Sequence, residues 1–121
     1  MDYEAVSGSD KTLSRGEAAL FARHPELGAA LVARLRRSMA VDPSERIDIL
    51  AELFGQMRRP PYRVLLECPE FRSQLMEKAY SLLAELSSLP ATTDWREKKR
   101  RANFRGVLAE LIAEMRTIGA S

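Results

Sequence analysis

The chain has 121 residues, 45% hydrophobic and 30% charged, which is typical of one soluble globular domain that can bury its own core. Its single cysteine excludes an internal disulfide framework and a zinc site made only of cysteines. No apolar run approaches the roughly 20 residues of a membrane span, and the first residues lack the basic and apolar regions of a signal peptide. We therefore expect a cytoplasmic protein.

The N-terminal stretch combines a polar tail with the first helix signal. Residues 1–11 mix Gly, Ser and Asp with little apolar content, which predicts a flexible tail before an α-helical domain at residues 12–121. Ser14 and Glu17 then have the spacing of a capping box, in which each side chain bonds the backbone N–H of the other residue. This spacing predicts a short helix at Arg15–Arg23.

Three proline-led starts predict the next helices, because proline fits the first helical position. The segments are Pro25–Ala40, a helix from Pro43 to about Met57 that follows a capping box at Asp42, and a fourth main helix that opens at Pro69. Tyr62–Glu67, between them, is predicted as a short helical turn. The apolar residues that recur at steps of three and four, and are therefore predicted to face the core, are Leu27, Leu31, Leu35, Met39, Ile47, Leu50, Leu53, Phe54, Met57, Phe71, Leu75, Ala79, Leu82, Leu83 and Leu86.

The last predicted helix, Asp94–Ile118, consists of two different halves. Asp94 and Glu97 predict a capping box at its start, and Gly119 predicts its C-terminal stop. The first half is a dense basic block, whereas the second half is amphipathic. Its predicted core residues are Phe104, Val107, Leu108, Leu111, Ile112, Met115 and Ile118.

These segments predict an all-α fold, because no segment shows sustained apolar and polar alternation. We expect a single-domain bundle of four main helices with a short N-terminal helix. The sequence at 49–58 resembles that at 107–116, and His24-Pro-Glu-Leu resembles Cys68-Pro-Glu-Phe. The four main helices can therefore be two pseudo-repeated helical hairpins, or the similarity can reflect how readily Leu-Ala-Glu-Leu arises in amphipathic helices.

Chemistry-bearing residues are sparse. His24 is the only histidine and precedes a proline, so its expected role is that of a helix boundary. Cys68 also precedes a proline and is expected to be a buried structural thiol, because no second cysteine is present. There is no glycine-rich phosphate loop and no spaced set of metal ligands. We expect no enzymatic activity, no cofactor and no metal.

The basic block is the most unusual feature of the sequence. Residues 95–105 carry six of the 19 Lys and Arg residues and one acid, a net charge of +5, whereas the remainder carries −3. Cations at a helix N-terminus oppose the helix dipole, and like charges three or four residues apart repel. An acidic partner would offset this cost. The predicted partner-binding residues are Trp95, Arg96, Lys98, Lys99, Arg100, Arg101 and Arg105.

Two kinds of function follow from this block. The first is a small non-enzymatic interaction or regulatory protein that binds an acidic protein surface through its helices, with a homodimer among the partners considered. The alternative is a nucleic-acid-binding module in which Trp95 and Phe104 stack on bases and the block contacts phosphates. A purely internal role is also open: the protein's own acidic surface would neutralise the block, with Trp95 in the core.

Overall fold

The computed structural model describes residues 13–120, and for residues 43 and 44 it describes the backbone only. The described residues form helices and no strand. The predicted flexible tail at residues 1–11 lies outside them. The predicted all-α, single-domain bundle is confirmed. Its elements are α1 (Arg15–Arg23), α2 (Pro25–Met39), α3 (Pro43–Gln56), a 3-10 helix η1 (Tyr62–Glu67), α4 (Pro69–Ser88) and α5 (Trp95–Ala120).

The five α-helices pack as a closed ring around one core. In ring order each helix contacts the next, from α1 to α2, α3, α5, α4 and back to α1, while η1 packs against α2, α4 and α5. Helices α3 and α5 run in the same direction, because the side-chain pairs Asp48–Arg100 and Arg58–Glu110 share a sequence separation of 52. The short helix α1 is therefore part of the ring, since it closes the gap between α2 and α4.

Two hairpins follow each other in this ring, but the predicted pseudo-repeat is not established by it. Helices α2 and α3 form one hairpin, α4 and α5 form the other, and the two pack through α3 and α5. A repeat of the hairpins would place α3 and α5 as equivalent helices. Their lengths are 14 and 26 residues, so the long basic start of α5 has no counterpart in α3. The repeat stays a prediction.

The helix starts agree with the predicted positions, but only one capping box is complete. Ser14 Oγ accepts a hydrogen bond from Glu17 N at 3.1 Å, and Glu17 Oε1 accepts one from Ser14 N at 3.0 Å. The capping box predicted at Asp42 is wrong, because the Asp42 side chain makes no capping hydrogen bond. Water can satisfy the free N–H groups at this exposed end, and the proline alone suffices to start the helix.

The box predicted at the start of α5 is half formed. Asp94 Oδ1 accepts a hydrogen bond from Arg96 N at 3.0 Å, as expected of an N-cap. Asp94 N donates instead to Thr92 Oγ1 at 3.1 Å, because the Glu97 carboxylate is bonded to two arginine side chains further along the helix. The predicted stop at Gly119 is also wrong. The helix runs through Gly119 to Ala120 without positive φ at any described glycine, because glycine weakens a helix without ending it.

The core contains most of the predicted residues and joins all the elements. The Phe54 and Phe104 rings connect α3 to α5, with centroids 6.4 Å apart and planes at 21°. Met39 is a wrong core prediction, because it is the last residue of α2 and is 42% exposed. The predicted residues that are buried are Leu31, Ile47, Leu50, Leu53, Phe54, Met57, Phe71, Leu75, Ala79, Leu82, Leu86, Phe104, Leu108, Leu111, Ile112 and Met115.

A glycine decides how α1 meets α4. Gly16 is buried, and its N–H donates to Gln74 Oε1 at 3.0 Å. A Cβ atom built on Gly16 would lie 2.4 Å from that oxygen and 2.9 Å from the carbonyl oxygen of Glu70. Since real Cβ atoms do not approach so closely, the absence of a side chain at this position allows α1 to dock on α4 and close the ring.

We expect Leu108→Ala or Leu111→Ala to lower the free energy of unfolding by about 2–5 kcal/mol, the range for truncated buried leucines. Both side chains are fully buried on α5. Val64→Ala is the control, since Val64 is 39% exposed and its truncation should cost less than about 1 kcal/mol. Chemical denaturation measures these differences. Wild-type midpoints and slopes for both leucine variants would show that this face of α5 is not in the core.

Two glycine-to-alanine substitutions should have opposite effects on stability. Gly16→Ala is expected to lower the free energy of unfolding by about 1–3 kcal/mol, because the added Cβ overpacks the α1–α4 contact. Gly106→Ala in the middle of α5 has nothing within 4 Å of the added atom. It should therefore raise that free energy by about 0.5–1 kcal/mol through helix propensity. Equal stabilisation by both substitutions, in thermal unfolding, would show that α1 does not dock as described.

Candidate partner-binding site

The basic block forms the first three turns of α5, at the rim of the bundle. Trp95 is the first residue of the helix and is 66% exposed, the most exposed large hydrophobic side chain among the described residues. The Arg96 guanidinium carbon lies 5.7 Å from the centroid of the Trp95 ring, within range of a cation–π interaction. The alternative that placed Trp95 in the core is wrong, because Trp95 lies on the outer face of α5, at steps of three and four from the exposed Lys98 and Lys99.

Two cations of the block face the bundle and have internal partners. Arg100 bonds Asp48 Oδ1 at 3.0 Å and Glu97 Oε1 at 2.8 Å. Arg101 bonds Glu97 Oε2 at 3.0 Å and the carbonyl oxygen of Pro90 at 2.7 Å. The hydrogen bond to Asp48 raises the pKa of the Arg100 guanidinium, although partial burial opposes it. Arg100 therefore remains charged, and its stabilising contribution is retained, at every pH below its ordinary pKa.

The other cations face solvent. Lys98, Lys99 and Arg105 are exposed, and none of them forms an ion pair within residues 13–120. The helical period explains this division, since positions 97, 101 and 104 lie on the inner face of α5 while 98, 99, 102 and 106 lie on the outer face. The structure thus divides the block into an internal pair and an unpaired outer set. We call the outer set, Trp95, Arg96, Lys98, Lys99 and Arg105, the cationic face.

Phe104 does not belong to this face. The sequence suggested that Phe104 could stack on a base or dock in a groove, but it is 2% exposed and stacked on Phe54 in the core. Its position on the inner face of α5 follows from its spacing to Leu108 and Leu111, which are also buried. Trp95 is consequently the single aromatic anchor of the block.

A small apolar pocket lies under the inner side of the same helix start. Its volume is about 220 Å³, below the roughly 300–1,000 Å³ of ordinary small-molecule sites. Charged side chains of both signs border it, so it has no clear preference for an anion or a cation. This size suits one apolar side chain better than a cofactor. The pocket residues are Arg46, Ile47, Leu50, Leu82, Glu85, Leu86, Leu89, Glu97, Arg101 and Phe104.

The remaining candidate residues have structural positions. His24 lies at the junction of α1 and α2, and its backbone N–H donates to the Leu20 carbonyl at 2.7 Å. Cys68 is buried, with Sγ 3.7 Å from Glu70 Oε1. Within the described part of the chain no group of three or more His, Cys, Asp and Glu side chains could hold a metal ion. None of the helices described here is long and apolar enough to cross a membrane.

Comparison with known proteins gives no relative from which a function could be transferred. No family model, no curated protein and no solved structure matches this chain. The function must therefore be inferred from the geometry and charge of the chain's own residues.

Sequence reasoning found the block but missed the partners that divide it. Asp48 lies 52 residues before Arg100, and the Pro90 carbonyl belongs to the loop before α5. Neither partner has a signal in the local sequence. The i,i+3 and i,i+4 spacing of Glu97 to Arg100 and Arg101 was a usable signal, because oppositely charged residues at these spacings attract on a helix.

Two double substitutions of equal charge should separate the two parts of the block. Lys98→Gln with Lys99→Gln should leave the thermal midpoint unchanged or slightly higher, because the removed charges repel their neighbours and oppose the helix dipole. Arg100→Gln with Arg101→Gln should cost about 1–2 kcal/mol, since the ion pairs of both arginines with Glu97 and that of Arg100 with Asp48 are lost. Thermal unfolding at low and high salt measures both. Equal midpoints for the two variants would contradict the division.

Proposed function

We propose that this protein is a small, non-enzymatic interaction protein that uses the cationic face at the start of α5 to bind an acidic partner surface. The observation that carries this proposal is the position of Trp95 and Lys99 on the outside of the helix, exposed and without an ion pair among the described residues. Unpaired cations at this helix end cost stability that nothing in the described structure returns. A regulatory role belongs to the same proposal.

An acidic protein surface suits the face because of its composition. Tryptophan and arginine are the residue types most often found at the energetic centres of protein interfaces, and Trp95 offers a large ring at low conformational cost. Around it stand Arg96, Lys98 and Lys99, which would steer an acidic surface into place. The pocket behind the helix start could take one apolar side chain of the partner. These features together support recognition of a folded or helical acidic segment.

Single-stranded nucleic acid is the second candidate, and the exposed Trp95 ring favours it. Stacking of one base on an aromatic side chain contributes about 1–3 kcal/mol, and arginine beside the ring adds to it. However, Phe104 is buried in the core, and Arg100 and Arg101 form internal ion pairs. One aromatic ring and few cations are therefore left to contact a nucleic acid. We therefore rank this function second.

A capture experiment from the native host, with and without nuclease, tests the proposal. Wild-type bait should retain a partner after nuclease treatment, and bait with Trp95→Ala, Lys98→Gln and Lys99→Gln should lose it, because both the anchor and the steering charges are removed. Bait with Arg23→Gln and Arg37→Gln is a control for charge removal at exposed positions on other helices. Retention of the same partner by all baits would show that the cationic face is not the binding site.

The same variants separate the two candidate functions. Titration against single-stranded RNA and duplex DNA at several salt concentrations gives the log–log slope of affinity. Phosphate binding through Lys98 and Lys99 predicts that the double Gln variant reduces this slope by about 1–2. For a protein partner, the lost charges should lower chiefly the association rate. Tight, steeply salt-dependent RNA binding by wild type together with nuclease-sensitive capture would favour the nucleic-acid function.

A further inference from the structure

The outer surface of α3, beside the cationic face, carries the opposite charge. Glu45, Asp48 and Glu52 are all exposed on this helix. Asp48 is bonded to Arg100, whereas Glu45 and Glu52 form no ion pair with another described residue, although Glu52 accepts a hydrogen bond from Gln56 at 3.4 Å. One side of the ring therefore presents an acidic helix next to a basic one, each with charges that form no ion pair among the described residues.

The unpaired charges of α3 and α5 lie at matching heights, meaning at matching positions along the common direction of the two helices. Helices α3 and α5 run in the same direction, and the 52-residue separation of their paired side chains defines their register. In this register Lys98 and Lys99 lie within about two residues, or roughly 3 Å, of the height of Glu45. Arg105 lies within about one residue, or roughly 1.5 Å, of the height of Glu52.

If a two-fold axis parallel to α3 and α5 related two copies of the chain, these matching charges would meet at two places. Such an axis preserves heights, so it brings α3 of one copy onto α5 of the other in the same direction. Glu45 then faces Lys98 and Lys99 of the second copy, and Glu52 faces Arg105. The same contacts form again on the other side of the axis.

The surface of α5 between the cations is shaped for close approach. Ala102 and Gly106 are exposed on the outer face, and no atom lies within 4 Å of a Cβ built on Gly106. Small residues allow the backbone of a second helix to come near, so that charged side chains on both flanks can reach each other. A dimer that instead stacked α5 on α5 would bring Lys98, Lys99 and Arg105 against their own copies, which like-charge repulsion disfavours.

We propose that the acidic partner of the cationic face is a second copy of this chain, which contributes the outer surface of its α3. This inference rests on the proposed function and names its partner. The overlap is about 21 Å long, the length of α3, and about two helices wide, so it falls short of the roughly 800 Å² per partner of a stable interface. The self-association is accordingly weak and depends on concentration and salt.

Sedimentation analysis of the full chain tests this dimer, at concentrations from about 10 to 500 µM and at low and high salt. We expect dimer formation that rises with concentration and falls with salt. Glu45→Lys should weaken it about tenfold or more, and Lys98→Glu with Lys99→Glu should do the same, because each change opposes like charges at both contacts. Arg23→Glu with Arg37→Glu, a reversal of equal size on α1 and α2, should leave the dimer unchanged.

Mixing the two reversed variants gives the decisive result. Each variant alone opposes like charges, but a mixed pair opposes unlike charges at both contacts, so the mixture should regain the affinity that each variant lost. Circular dichroism of every variant establishes that it is folded. A monomeric wild type over the whole range, or a mixture that fails to dimerise, would overturn this inference. The proposed function would survive if the cationic face still captured a nuclease-resistant partner from the host.

Discussion

Glu97 is the residue on which the character of the helix start depends. Its carboxylate, with a side chain 20% exposed, bonds Arg100 and Arg101 at once and holds both against the bundle. Because partly buried ion pairs hold arginine better than exposed ones, these two side chains contribute to the stability of the fold. The remaining cations of the block are left on the outer side. Glu97, together with Asp48 and the Pro90 carbonyl, thereby decides which part of the basic block is structural and which part lies on the outer side.

The fold also depends on α1, which closes the ring of helices between α2 and α4. A short helix contributes little by its own propensity, and α1 is only nine residues long. Its place is determined by Leu20, which is fully buried, and by the close approach at Gly16, where the backbone N–H reaches Gln74 across to α4. Without this contact α2 and α4 would be separated by an open apolar groove. The short first helix is therefore a structural element of the core and not an appendage to four main helices.

The proposed binding surface follows from how these helices are arranged. Since α3 and α5 are parallel neighbours, an acidic outer surface and a basic outer surface stand side by side on one face of the molecule. Such a face is complementary to its own copy, and it is equally able to bind any partner with an acidic helix. Which of these occurs is a question of affinity and concentration, because a contact of this small size gives modest binding.

The sequence by itself determined the helices and most of the core. Proline at the first position of three helices and the Ser14 box located the starts, and the three-and-four spacing of apolar residues located the buried faces, because both are properties of a local helix. Only the tertiary structure decided the order of the helices in the ring, the need for glycine at position 16 and the exposure of Met39. It also decided the split of the basic block, because the partners of Arg100 and Arg101, Asp48 and the Pro90 carbonyl, are brought near by packing between distant segments. Local patterns determine which side of a helix is apolar, but contacts between distant segments determine which charges remain free.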